Sequence, residues 1–199
     1  EMQKRRGLLG GEGFAEQYVD GREFNLSILT SQEGPEVLPP AEMRFIDYPP
    51  GKWKVVGYRA KWDEGSFESL HTERSFEFAK SDRPLLQKLV ETARKCWDLF
   101  GLRGYARVDF RVDEQNQPWV LEINANPCLS PDAGFAAAMG QAGVTYAHAL
   151  TRILDEALKQ QERHPLPAQA RLRSSARSSP EQSQASSAAG SGASPYVPG

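Results

Sequence analysis

Between Arg22 and Leu29 apolar and polar positions alternate: Phe24, Leu26 and Ile28 against Glu23, Asn25 and Ser27. That period of two predicts a half-buried strand with Glu23 on its outer face. The run Phe14 to Val19 is also rich in strand formers, and Asp20-Gly21 between the two runs is a two-residue hairpin signal. The turn SQEGP and the stretches EVLPP and AEMRFID extend the sheet, and KVVGYRAKW, 54–62, predicts another strand. From Asp63 to Lys80 the sequence is polar and aperiodic, which predicts a long loop. Ser81-Asp82 with Pro84 opens a helix whose Leu86, Leu89, Val90, Ala93, Trp97 and Phe100 recur every three or four residues, and Gly101 ends it. Two strands follow, Tyr105–Val112 (YARVDFRV) and Trp119–Asn124 (WVLEIN), joined by DEQNQP. Ser130-Pro131-Asp132 reads as a helix start with proline at the first position. A last helix follows Thr145, striped by Leu150, Ile153, Leu154, Ala157 and Leu158.

The two strands around DEQNQP carry polar groups that a sheet does not need. Tyr105, Arg107, Asp109 and Arg111 share one face, while Ala106, Val108, Phe110 and Val112 share the apolar one. On the partner strand Trp119, Leu121 and Ile123 face one way, and Val120, Glu122 and Asn124 the other. A four-residue loop, 114–117, sets Asp113 against Pro118, and counting back then brings Asp109 opposite Glu122 and Arg107 opposite Asn124. Opposed carboxylates with Cβ atoms roughly 5 Å apart repel, which calls for a positive charge between them. Two carboxylates and an amide oxygen suit a hard cation such as Mg²⁺, and Arg107 beside it adds a planar donor for phosphate. The alternative stays open at this point: the same residues also fit the solvated face of an antiparallel hairpin.

Composition narrows the partners. In 199 residues, 39% hydrophobic and 25% charged, there is room for one domain with a real core. A net charge of −2 supplies no basic field for nucleic acid or an anionic membrane, and no apolar run or leader pattern points to a membrane. Cys96 and Cys128 lack any paired spacing, which fits a reducing, cytoplasmic setting. Beyond Arg163 the chain is Ser, Ala, Pro, Gln and Gly with few large apolar groups, so the expected division is an ordered 1–162 and a disordered tail, 163–199. Glu1 in place of Met, with basic MQKRRGLLGGEG leading into strand pattern, reads as the middle of a longer protein.

RVDF, the connection, and LEINANP followed by LSPDAG resemble the C-terminal half of the ATP-grasp fold, nearest to the D-alanine–D-alanine ligases. FAEQYVDGREFNLSIL resembles the segment over adenine and ribose, and YRAKWD the loop over the phosphates; the likeness runs from about Phe14 to Leu158. It implies an α+β fold, a mostly antiparallel sheet packed with helices, and an ATP-dependent carboxylate–amine ligase working through an acyl-phosphate for peptidoglycan synthesis. Asp109, Glu122 and Asn124 would then hold two Mg²⁺ ions, or Mn²⁺. Arg107 would stabilise the transferred phosphoryl group and the acyl-phosphate, and Lys61 would reach the γ-phosphate or the product side. Glu16, Tyr18 and Val19 would meet adenine, and Glu23 the ribose. Trp62, Cys128 and Ser130 would face the amino-acid substrates. Trp62 stands where such ligases often carry Tyr, and Cys128 where they often carry Gly. The glycine-rich loop and lysine of the fold's first half are absent from this chain, so it is expected to be inactive alone; the oligomeric state of the full-length protein is left open by the sequence, a homodimer being one option. Another amino-acid or peptide ligase of the fold, and a non-catalytic scaffold derived from it, are the competing readings.

Overall fold

The structure, a computed structural model, describes residues 14–163 together with Gly7. Six strands form one antiparallel sheet: β1 (Arg22–Ser31), β2 (Gly34–Val37), β3 (Ala41–Phe45), β4 (Thr72–Ser75), β5 (Tyr105–Val112) and β6 (Pro118–Asn124). Their order is β4-β3-β1-β5-β6, with β2 paired to β1 outside this path. The helices are α1 (Tyr58–Trp62), α2 (Phe67–Leu70), α3 (Arg83–Leu99), α4 (Gly134–Gln141) and α5 (Tyr146–Arg163). This is the α+β arrangement expected. Contacts group Glu1–Gln160 into one unit and Gln161–Gly199 into a second, of which only the end of α5 is described. The expected tail therefore lies outside the described residues.

Strand alternation decides which side of the sheet α3 covers. Phe24, Leu26 and Ile28 of β1 and Ala106, Val108, Phe110 and Val112 of β5 are fully buried, and Leu85, Leu89, Ala93, Cys96 and Trp97 of α3 pack on them. Their spacing along α3 is the three-to-four repeat of one helical face. Arg22 bridges the edge of this layer, donating to Glu42 at 2.8 Å and to Asp82 at 2.9 Å. On the opposite face Leu29 joins Leu38, Phe135, Met139 and Ala149, with Tyr105 packed alongside. Helices α4 and α5 thus cover only one end of that second face. Near its other end lie segments without regular structure, 14–20 and 52–57.

Several expectations are corrected. Phe14 to Val19 is not a strand: among the described residues no strand pairs with it, and Gly21 makes a close approach instead of a hairpin. At φ +133 a Cβ on Gly21 would fall 2.0 Å from the Val112 carbonyl oxygen, so the glycine is there to let two backbones touch. Lys54 to Trp62 is not a strand either; its second half is α1, whose residues are all at least partly exposed. The stretch from Asp63 to Lys80 contains α2 and β4, because four residues of β4 gain a full ladder against β3 that no local pattern announces. Helix α4 begins at Gly134, later than Ser130-Pro131-Asp132, which form a turn.

Candidate functional site

The second face of the sheet, between α4 and the irregular segments, is where the polar positions gather. Pairing of β1 with β5 and of β5 with β6 lines them up in rows: Glu23–Arg111–Trp119, Asn25–Asp109–Glu122 and Ser27–Arg107–Asn124. Asp109 opposes Glu122 and Arg107 opposes Asn124, as the sequence reading expected. The route to that register differs, however. Val112, not Asp113, opposes Pro118, so the connection is five residues, 113–117, and a β-bulge between Asp109 and Phe110 absorbs the difference at Leu121. The bulge also changes the faces: Trp119 sides with Glu122 and Asn124, and Val120 with the apolar row of Phe110.

Charges on this face are tightly coupled. Arg107 donates to both oxygens of Asp109, from Nε and Nη2, at 2.7 Å each. Asp109 is buried while Glu122 is exposed. Burial opposes the Arg107 charge, yet the Asp109 hydrogen bonds and the fields of Asp109, Glu122 and Glu23 outweigh it and raise its pKa. Asn124 Oδ1 accepts from the Asn126 backbone at 2.9 Å, and Tyr105 donates to Asn126 Oδ1 at 2.5 Å, which fixes the exit from β6. Among the described residues no group of three His, Cys, Asp or Glu gathers that could hold a metal. A cation here depends on Asn124 as the third donor. Asp109, Glu122 and Asn124 present oxygen only, which fits Mg²⁺ or Mn²⁺ and not a soft metal.

Beside these rows opens a cavity of about 540 Å³, lined by Glu16, Tyr18, Val19, Val55, Trp119 and Leu121 among others. Its walls are pinned by one buried side chain. Arg111 donates to Val19 O at 2.9 Å, Lys54 O at 2.8 Å, Gly21 O at 3.2 Å, Tyr18 Oη at 3.3 Å and Glu23 Oε2 at 3.2 Å. Glu23 is consequently 4% exposed and paired, and it does not line the cavity. Burial raises its pKa despite Arg111, the Val56 N–H adding a contact at 3.4 Å. A larger cavity of about 830 Å³ lies elsewhere, along the β1–β2 turn, α3 and α5. Its Arg152 is already paired with Glu36 at 2.7 Å, and none of the polar rows reaches it.

The remaining sequence candidates are dispersed. Lys61 and Trp62 are exposed on α1, a helix tied down through Arg59 to Asp63 and Glu68. Cys128 is exposed with its Sγ 3.2 Å from Ser130 Oγ, and donation from the Ser130 hydroxyl and backbone N–H to the thiolate lowers the thiol pKa, with the Arg107 charge acting the same way. Sequence reasoning set Arg111 on the polar face without a task. It also left Arg74 inside a loop. The alternation of YARVDFRV was a sufficient signal for Arg111; nothing local marked Arg74.

Residues 11–155 match the family described as D-ala D-ala ligase C-terminus. The D-alanine–D-alanine ligase of Synechococcus sp. (strain JA-2-3B'a(2-13)) is 33% identical over 165 residues, covering 80% of this chain and 46% of that protein. The uncharacterized protein y4sG of Sinorhizobium fredii is 34% identical over 146 residues, covering 73% of this chain and 41% of that protein. Among solved structures, the D-alanine–D-alanine ligase from Bacillus anthracis complexed with ATP has a TM-score of 0.54 at 20% identity, over 74% of this chain and 42% of that one. The D-alanine–D-alanine ligase from Coxiella burnetii has a TM-score of 0.55 at 20% identity, over 82% and 39%. The chain spans less than half the length of these relatives. It belongs to the D-alanine–D-alanine ligase C-terminal family and has the ATP-grasp fold of those ligases.

Proposed function

We propose that this chain is the C-terminal, nucleotide-binding part of an ATP-dependent carboxylate–amine ligase, with D-alanine–D-alanine ligation for peptidoglycan as its reaction and the cytoplasm as its setting. One observation carries the reading: Asp109 opposite Glu122, with Arg107 bound to Asp109, on the part of the sheet face left open beside a cavity of nucleotide size. In the reaction a substrate carboxylate oxygen attacks the γ-phosphorus of ATP, and the bond to ADP breaks with its electron pair leaving on ADP. The second substrate's amine then attacks the carbonyl carbon of the acyl-phosphate. A C–N bond forms, inorganic phosphate leaves with the C–O electrons, and the amine proton passes to solvent.

Two Mg²⁺ ions, for which Mn²⁺ substitutes, would be held by Asp109, Glu122 and Asn124 and supply neutralisation of the phosphate charge. Arg107 stabilises the transferred phosphoryl group, and to do so exchanges part of its grip on Asp109 for phosphate oxygens. Glu16, Tyr18 and Val19 receive the adenine edge between the backbone of 16–20 and the Trp119–Leu121 wall. Glu23 reaches the ribose only if it releases Arg111; otherwise it serves the pocket by holding that arginine in place. Lys61 and Trp62 approach the phosphates with α1 as a cover, the Cys128 backbone N–H faces the reacting carbonyl, and Ser130 faces the amine-bearing substrate. A different pair of amino acids is the second reading, supported by Trp62 and Cys128 at positions where D-alanine ligases often carry Tyr and Gly.

The test is phosphate release by the intact protein that contains this chain, with ATP and a panel of amino acids. Turnover with D-alanine is expected. Silence with D-alanine beside turnover of another amino acid rejects the specific reaction and keeps the class; silence with all of them rejects both.

A further inference from the structure

Arg74 has no place in the reading above. Its strand position puts it on the site face, since Arg74 opposes Met43, Met43 opposes Glu23, and Glu23 opposes Arg111. Its guanidinium lies flat on Gly134: a Cβ there would be 3.3 Å from Nη2 and 3.5 Å from both Cζ and Nε. Its neighbours on this face, Arg107 and Arg111, each have a carboxylate, Asp109 and Glu23. Among the described residues Arg74 has none within ion-pair distance. Surrounding protein first, and the positive charge of Arg107 second, lower its pKa, although the residue keeps an open edge to solvent. Two guanidiniums therefore face one region in which the Asp109 carboxylate is already bound by Arg107, an arrangement that leaves Arg74 uncompensated and favours an arriving anion.

We propose that Arg74 is a specificity-determining residue that binds the carboxylate of the amine-bearing amino acid, next to Arg107. The proposal rests on the ligase reading for the identity of that substrate. The guanidinium stacked on Gly134 offers its edge, a fork of N–H donors matched to the two oxygens of a carboxylate. A Cβ at position 134 would press on that fork, 3.3 Å from Nη2, and glycine leaves the space free. A phosphoryl group offers the same oxygen chemistry, so the ATP γ-phosphate is the competing source of the anion.

The experiment follows the Arg74 Nε–Hε resonance and the affinity of the 199-residue chain by NMR titration, using D-alanine, glycine, D-alaninamide and inorganic phosphate as probes, with Mg²⁺·ATP in a separate arm. D-alanine and glycine should shift the Arg74 resonance, and D-alanine should bind about 10- to 100-fold tighter than its amide. Arg74→Gln should erase that gap, Arg74→Lys should keep part of it, and Gly134→Ala should narrow it by crowding the fork with the charge intact. A gap that survives Arg74→Gln overturns the proposal. So does an Arg74 resonance that moves with phosphate or Mg²⁺·ATP and ignores the amino acids. Loss of Mg²⁺·ATP binding at Asp109, by contrast, bears on the ligase reading and leaves the Arg74 result standing.

Discussion

Arg111 shows how much one side chain can organise. It is 4% exposed, and its donors are shared among three backbone carbonyls, a phenol and the Glu23 carboxylate. Taking away one partner of a buried pair leaves the other charge stranded, so Arg111→Met should cost about 3–5 kcal/mol in urea denaturation. Adding Glu23→Gln should recover part of that loss; equal or greater loss in the double variant would argue that the pair is not the source. The two cysteines give a second residue-level contrast. Ser130 lowers the Cys128 pKa while burial raises that of Cys96. A lower thiol pKa means more thiolate at a given pH, so iodoacetamide should alkylate Cys128 first at pH 7.5. Ser130→Ala should slow that reaction and move its pH profile upward. Arg111 and Cys128 were both visible in the sequence, the first as an arginine out of place on an alternating strand. The backbone partners of Arg111 were not, because Val19, Lys54 and Gly21 reach it through atoms that carry no residue signature.

At the level of elements, β5 and β6 owe their alignment to a loop and a bulge acting together. A count from the turn alone finds Asp109 opposite Glu122 only because a loop one residue longer is cancelled by the extra residue at Leu121. Deleting Leu121 should therefore leave a regular ladder with Glu122 still opposite Asp109, whereas deleting Ile123 should carry Asn124 onto the apolar face opposite Val108, since one residue of slip exchanges the faces of a strand; calorimetry of Mg²⁺·ATP binding should show the first variant near wild type and the second weakened. Gly21 is a second structural control point. With a Cβ 2.0 Å from the Val112 oxygen and φ at +133, Gly21→Ala must displace backbone, and should lower stability by about 1–3 kcal/mol in thermal or chemical unfolding. Long periodic elements were legible: β1, β5 and α3 follow their apolar repeats. The 14–19 segment, α1 and β4 were not, since each takes its form from a tertiary neighbour and not from its own pattern. An edge connection also sets a pH response. Arg22 holds the Asp82 carboxyl below its ordinary range. That link is therefore intact above the usual carboxylate pKa and lost as pH falls through the lowered value, so Asp82→Asn should flatten the acid limb of the stability curve.

The described residues form a sheet with one face packed by α3 and the other covered by α4 and α5 at one end. Because α4 and α5 cover only one end of that second face and Arg111 anchors loops over the other, charged residues in the middle remain reachable without disturbing the core. This division explains why the family likeness could be read from short motifs while the manner of assembly could not. The RVDF and LEINANP motifs place their polar residues on the open face, whereas the cover comes largely from irregular segments. The chain corresponds to less than half of its relatives' length, and the proposal that it binds nucleotide can still be tested on the chain itself. Isothermal calorimetry of ATP with and without Mg²⁺, on the wild type and on Asp109→Asn and Glu122→Gln, is the most direct measurement. Saturable binding strengthened at least about tenfold by Mg²⁺, with that gain lost in both variants, is the expected result. Isotherms that are the same with and without the ion, or variants that retain the full gain, would contradict a cation-assisted phosphate site on this face.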